Sequence, residues 1–369
     1  MTATAIPNAP APKRNVDNAL TTGQLPRLFE LYSLIAALAI GAGILALLGF
    51  NIVGWIVISA IVYLLIVGIV SGAVENRRKA VDRIVRGIVV LAFLLAIAPL
   101  LSTLIDVVSR GYKDAFDMAF VFKTGGTHFD PNTLKVTTTM GAWQAIIGTL
   151  EITGIATVIS VPIGILTSIY LVEYGRPAHW MNRTVTFLVD VMTGIPSIVA
   201  GLFAFSLFTL IVGPKAFSGL SAAIALCVLM IPIVVRSSEE MLKLVSMDLR
   251  EASYALGVTK FVTITRIVLP TAIAGLITGV MLAIARVIGE TAPIFIAASF
   301  TSNYNANPVS GAMETLPVMA YTGYKFPGTD IQASYDSAWG AAFLLVILVV
   351  ILNLIARLVA RLFAPKGMR

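Results

Sequence analysis

Long apolar runs separated by short polar breaks set the pattern of this chain. Two runs, about Leu28–Phe50 and Ile52–Gly72, follow each other with almost nothing between them, which predicts a tight hairpin of membrane-length helices. Further runs cover about Ile84–Ile105, a stretch within Trp143–Val172, Thr184–Leu210, Leu220–Val235, Thr271–Ala298 and Trp339–Leu362. Eight spans are therefore predicted. The stretch Trp143–Val172 is long enough to tilt or to project beyond the bilayer. The run Thr184–Leu210 carries Asp190 and Gly194-Ile195-Pro196-Ser197, which reads as a bend or a close helix crossing. Gly275 and Gly279, four apart, read as plain helix packing. Two polar segments, Asp106–Ala142 and Ser299–Ser337, interrupt the spans, and residues 1–27, rich in Ala, Pro, Asn and Thr, read as a disordered tail.

A long polar break in the second half, Met241–Pro270, does not read as a slack loop. Asp248 and Glu251 have capping-box spacing, which predicts a short helix after them. Gly257 sits where a left-handed helix end needs a residue without a side chain. A second helical run, Lys260–Val268, leads to Pro270 at the mouth of the next span. A helix, a glycine and a helix on one face of a membrane protein predict a docking surface for a soluble partner.

Composition agrees with the pattern. The chain has 369 residues, 58% of them hydrophobic and 12% charged, about half the charge of a soluble domain. The formal charge of +7 could suggest nucleic acid, but the cations flank the spans and so report topology. With both termini inside, Arg110, Lys113, Lys123, Lys135, Lys215 and Lys325 fall outside and Arg286 within a span. The other nineteen of the 26 fall inside, including the cluster Arg77, Arg78, Lys79, Arg83 and Arg86. This orientation places Met241–Pro270 in the cytoplasm. Cys227, the single cysteine, excludes a disulfide within the chain and reads as a small buried hydrophobe.

Charges inside spans are costly and normally face a partner or a watery path. Arg286 and Glu290, four apart, share a helix face and can pair. Two readings stay open for them: an anion pathway in which Arg286 meets the anion, or an ion pair locking two helices. Glu151 and Asp190 either partner a helix or line the path, and Arg236 reads as a boundary residue. His128 and His179 lie in loops on opposite sides of the membrane, so they form neither a metal site nor a triad with each other and read as solvated.

Glu251-Ala252-Ser253, Gly257, then Ile267, Leu269 and Pro270 resemble the EAA loop of ABC importer permeases, E-A-A, three residues, G, nine residues, I-x-L-P, with Ser253 in place of the third-position Ala. In that family the loop is the coupling helix, seated in a groove of the ATPase subunit. Gly194–Leu202, the stretch Ala285–Phe295 around Gly289-Glu290-Thr291-Ala292-Pro293, and the late METLPVMAYTGY segment are similar to phosphate-importer permeases of the PstA type. The sister PstC type typically continues Gly-Glu-Thr with Met rather than Ala-Pro.

The apolar runs predict an all-α polytopic membrane protein of about eight transmembrane helices; the resemblance covers about Ile84 to the end, and the hairpin Leu28–Gly72 goes beyond the six-span core that such permeases share. The resemblance implies a six-helix ABC importer permease core over 84–369, with a coupling loop at 241–270. An accessory hairpin and basic loop occupy 28–83, and a cytoplasmic tail occupies 1–27. The implied role is half of the pathway of an ATP-driven phosphate importer in the bacterial plasma membrane. Its implied partners are a sister permease of the PstC type, two copies of a PstB-type ATPase and a PstS-type phosphate-binding protein. The ATPase-coupling residues would be Glu251, Ala252, Ser253, Gly257, Ile267, Leu269 and Pro270. Arg286, Glu290 and Thr291 would lie on the substrate path, with Asp190, Pro196, Ser197, Glu151 and Arg236 on the path or in packing. The chain carries no G-x-x-x-x-G-K-[ST] loop, so ATP and Mg are expected in the partner ATPase and no cofactor or metal in this chain. The rival readings are a permease for another oxyanion, molybdate or sulfate, and a stand-alone secondary carrier using Arg286 and Glu290. A membrane enzyme would need a nucleophile–base or metal cluster in the spans, and none is visible.

Overall fold

The structure, a computed structural model, describes residues 25–26, 28–49, 51–130, 135–176, 179–214 and 217–363. Residues 1–24, with Lys13 and Arg14, and also Arg27, Lys215, Lys366 and Arg369, lie outside them. Among the described residues seven helices are long and apolar enough to cross a membrane, or eight if one bent pair counts as a span. The chain divides into two compact units, residues 1–103 and 104–369.

The first unit holds α1 (Phe29–Leu48), α2 (Ile52–Val74) and most of α3 (Arg77–Ala115). The hairpin forms as its pattern predicts. Asn51 caps α2 by accepting the Val53 N–H at 2.9 Å, and Trp55 Nε1 donates to the Leu38 carbonyl at 2.9 Å across the pair. The basic cluster read as a loop is instead the first turns of α3, and only Glu75 and Asn76 stand outside helix. A 39-residue helix is about 58 Å long, roughly twice a bilayer core, so its charged turns are solvated helix rather than loop.

In the second unit, α3 runs on past Ile105 to Ala115, into the polar segment Asp106–Ala142. There follow α4 (Met118–Phe122) and an antiparallel hairpin, β1 (Thr124–Asp130) with β2 (Lys135–Ala142). Among the described residues this hairpin is the one sheet, and its threonines and glycines carry no apolar alternation that would announce it. Then come α5 (Trp143–Ile169), a π-helical turn over Tyr170–Tyr174, α6 (Trp180–Thr193), α7 (Ser197–Val212) and α8 (Gly219–Lys243). The predicted fifth span is therefore two helices, bent by 106° at Gly194–Pro196. A residue before proline avoids the helical region and proline lacks an N–H, so Ile195-Pro196 ends one helix and Pro196 stands at the N-cap of the next.

Beyond α8 lie α9 (Met247–Ala255), α10 (Lys260–Thr263), a second π turn over Ile264–Val268 and α11 (Leu269–Val287). The predicted seventh span is also broken. It stops at Val287 and resumes as the short α12 (Ala292–Ala298). After it come α13 (Leu316–Lys325), inside the polar segment Ser299–Ser337, and α14 (Ile331–Phe363).

The core lies where α5, α8, α11 and α12 meet, around Ile152, Leu226, Met230, Val287 and Ile294. Small residues let backbones approach there, as in other membrane bundles. A side chain at Gly201 would strike Pro293, one at Gly275 would strike Met241, and one at Gly279 would strike Ser237. Gly275 and Gly279 thus do the helix packing their spacing suggests. Cys227 is buried, its thiol 3.7 Å from the Ala156 carbonyl.

Candidate functional site

The helix–glycine–helix forms, with one correction. The N-cap of α9 is Ser246, not Asp248, and no side chain closes a capping box. Asp248 sits inside the first turn, where its charge complements the positive helix end. The C-terminal end follows its sequence signal closely. Gly257 has φ +75°, its N–H donates to the Tyr254 carbonyl at 2.9 Å, and the Val258 N–H donates to the Ser253 carbonyl at 3.3 Å. This nested pair of bonds satisfies the orphan carbonyls of α9 and turns the chain back on itself.

The next run is continuous with the following span. The π turn Ile264–Val268 directly precedes Leu269-Pro270. Proline in a helix removes a ladder bond and crowds the carbonyl four residues back, and a widened turn relieves both. Ile267 and Leu269 are half-buried and Pro270 is exposed.

One face of this motif is fastened to the molecule and the other is free. Ser253 and Thr263 hydroxyls share a buried hydrogen bond of 2.8 Å that pins α9 to α10. Arg250 is buried, and its guanidinium donates to Glu173 Oε1 at 2.8 and 3.1 Å and to the Leu242 carbonyl at 3.0 Å. Glu173 lies in the π turn that ends α5, and Lys260 stands 4.9 Å over the ring of the adjacent Tyr174. Glu251, Ala252 and Gly257 are exposed, together with Leu244, Met247, Tyr254, Leu256 and Phe261. Large apolar side chains thus crowd the outward face around a short polar helix.

The charged residues in the spans separate into two groups. Arg286 pairs with Glu290, as their spacing allows. The helix has already ended between them: the Glu290 N–H donates to the Val287 carbonyl at 3.0 Å, and Thr291 is the N-cap of α12. The guanidinium side chain is 63% exposed and the carboxylate 11%, so the cation is the accessible partner. Arg236 lies inside α8 and joins Asp190 of α6 to Glu239 at 2.8 Å, with Lys243 2.7 Å beyond Glu239. This chain holds the first limb of the broken span. Ser197 is half-buried at the start of α7. Glu151 on α5 has one buried carboxylate oxygen with no hydrogen-bond partner.

Several residues that shape the site escaped the sequence reading. Glu173 and Glu239 are partners from distant or unremarked positions, and the signal for Glu173 is only that it is the acid directly after the apolar stretch Trp143–Val172. Glu314, in the loop before α13, is 6% exposed and accepts from Gln144 Nε2 of α5 at 3.2 Å. Burial pushes its carboxyl up to about 7. His179 is not merely solvated: its Nδ1 accepts the Met181 N–H at 3.3 Å as the cap of α6. Among the described residues no cluster of His, Cys, Asp or Glu has metal-ligand geometry.

Residues 160–368 match the family described as binding-protein-dependent transport system inner membrane component. The chain is 41% identical over 272 residues to the phosphate transport system permease protein PstA 1 of Mycobacterium tuberculosis, spanning 73% of this chain and 85% of that protein. It is 39% identical over 280 residues to the phosphate transport system permease protein PstA of Mycobacterium leprae, spanning 75% and 88%. A probable phosphate transport system permease protein PstA of Methanocaldococcus jannaschii is 32% identical over 270 residues, spanning 73% and 90%.

Proposed function

This chain belongs to the family of inner membrane components of binding-protein-dependent transport systems, and from that membership we propose that it is a permease subunit of an ATP-driven inorganic phosphate importer. The relatives' names supply the anion. The observation that carries the coupling role is the exposed face of α9 and Gly257, braced from behind by the Arg250–Glu173 pair.

In this reading both termini lie in the cytoplasm, and α9 docks in a PstB-type ATPase, which holds the ATP and Mg. The pathway is shared with a PstC-type sister permease, and a PstS-type binding protein delivers phosphate. This chain performs no hydrolysis itself. Closure of the ATPases pushes on α9 around Glu251–Gly257. The push reaches α5 through Arg250 and Glu173, and reaches α11 through α10 and the π turn, where Ile267, Leu269 and Pro270 sit. Arg286, exposed beside the break at Ile288–Thr291, presents a positive charge to a passing anion while Glu290 holds the guanidinium in place.

The test is uptake of labelled phosphate at low concentration in cells lacking this chain, restored with wild type or with Gly257→Val at equal membrane levels. Restoration by wild type alone supports the importer and its coupling point. Restoration by both removes the coupling role, and restoration by neither removes phosphate as the anion.

A further inference from the structure

The first unit has a cavity of its own, in a part of the chain outside the matched residues 160–368. It occupies about 430 Å³ among α1, α2 and α3, within the usual roughly 300–1,000 Å³ of ligand sites. Its walls are mostly apolar, with Leu34, Leu38, Ile56 and Leu94 among them beside Ser59 and Tyr63, and it also meets Glu30, Arg83 and Arg86. A second cavity of about 480 Å³ shares those three residues and continues past Lys79, Asp82 and Glu75. A greasy compartment thus opens through a charged neck into a polar one.

The charges in this neck are of two kinds. Glu75 is saturated from within: it accepts the Leu25 N–H at 3.0 Å, the Ser71 hydroxyl at 2.9 Å and the Arg83 guanidinium at 3.0 Å. The Leu25 N–H contributes most to holding its carboxyl below the usual carboxylate range. Arg86 is different. Its side chain is 60% exposed, and its bonds to Glu30 at 3.4 Å and Asp82 at 3.2 Å are long surface pairs that a better-matched group displaces. Glu30 is likewise 42% exposed. Three cations, Lys79, Arg83 and Arg86, line the polar cavity against three carboxylates, Glu30, Asp82 and Glu75.

The outer faces of these helices carry exposed Ile35, Val57, Ile61, Val89 and Phe93, so they face hydrocarbon. The polar cavity lies at the end that carries the basic cluster, at headgroup level. We infer that α1, α2 and the first half of α3 bind an amine-bearing phospholipid, with its phosphate on Arg86 and Arg83, its ammonium on Glu30 and one acyl chain in the groove past Leu34, Leu38 and Leu94. The balance of charge selects this occupant. A headgroup with net negative charge would face Glu30 and Asp82 without a counter-charge of its own, whereas a zwitterion meets both signs. This inference does not depend on the transport reading.

The experiment is to reconstitute the full-length assembly in nanodiscs of equal phosphatidylethanolamine and phosphatidylglycerol and to quantify retained lipid by native mass spectrometry. Wild type is expected to retain phosphatidylethanolamine selectively. Arg86→Gln is expected to lower its retention about fivefold, the loss of one headgroup-level arginine. Leu34→Trp fills the groove and is expected to abolish retention with every charge intact. Both positions are exposed, so neither change disturbs the fold. Equal retention in all three proteins, preference for phosphatidylglycerol, or displacement of the lipid by inorganic phosphate would each overturn the assignment.

Discussion

Arg250 and Glu173, 77 residues apart in sequence, are buried against each other with side chains 7% and 5% exposed and a closest approach of 2.8 Å. The pair joins α9, the helix proposed to dock the ATPase, to the end of α5, so in that proposal it carries force as well as holding the fold. Removing one member strands a buried charge, at about 3–5 kcal/mol. Arg250→Met is therefore expected to lower the thermal stability of the purified chain sharply and to abolish phosphate uptake. The double change Arg250→Met with Glu173→Leu is expected to recover much of the stability while uptake stays impaired. Recovery of uptake as well would remove the pair from the coupling path.

Gly257 has φ +75° and nothing within 4 Å of where a Cβ would stand, so the obstacle to a side chain there is the backbone alone. A β-branched residue in this region is strained by roughly 1–2 kcal/mol, whereas Asn adopts it with little penalty. Gly257→Val is expected to lose ATPase co-purification and Gly257→Asn to retain most of it. A steric account would predict equal loss in both.

Ser253 departs from the E-A-A pattern, yet its hydroxyl is buried against Thr263. Thr263 also donates to the Thr259 carbonyl at 3.2 Å, so it keeps a partner when Ser253 is removed. Ser253→Ala is expected to cost about 1 kcal/mol or less and to leave uptake near wild type. Ser253→Leu, overfilling the same contact, is expected to separate α9 from α10 and to fail in ATPase co-purification.

In the Arg286–Glu290 pair the guanidinium is the exposed member, 63% against 11% for the carboxylate, so a neutral polar side chain at 286 keeps its own contact with solvent. Arg286→Gln is therefore expected to leave the melting temperature almost unchanged, and ATPase binding intact, while phosphate uptake falls at low concentration. Unchanged uptake would reduce the arginine to a packing residue.

Glu314 lies outside the spanning helices, with its carboxyl raised by burial from 4.5 to about 7. In that window the folded chain binds a proton that the unfolded chain has released. The group's contribution is thus greatest below pH 4.5 and is lost as pH rises through about 7. Thermal unfolding of wild type is expected to show lower stability at pH 8 than at pH 5.5, and Glu314→Gln to flatten that difference.

The sequence by itself determined whatever depends on neighbours a few residues away. Span positions follow from the length of apolar runs, the α1–α2 hairpin from the shortness of the gap at Asn51, and the turn at Gly257 from the left-handed conformation that glycine alone adopts freely. Even the fault in the Asp248 capping box is local, a matter of two residues. What only the tertiary structure decided depends on groups far apart in the chain. The 106° bend at Gly194–Pro196 was visible as a break, but neither its size nor the reach of Arg236 across to Asp190 was. Glu173 meeting Arg250, and Gln144 meeting Glu314, give no periodic signal at all. A buried ion pair or hydrogen bond acquires its strength from the low dielectric that the completed fold creates around it, and no short window of sequence contains that environment.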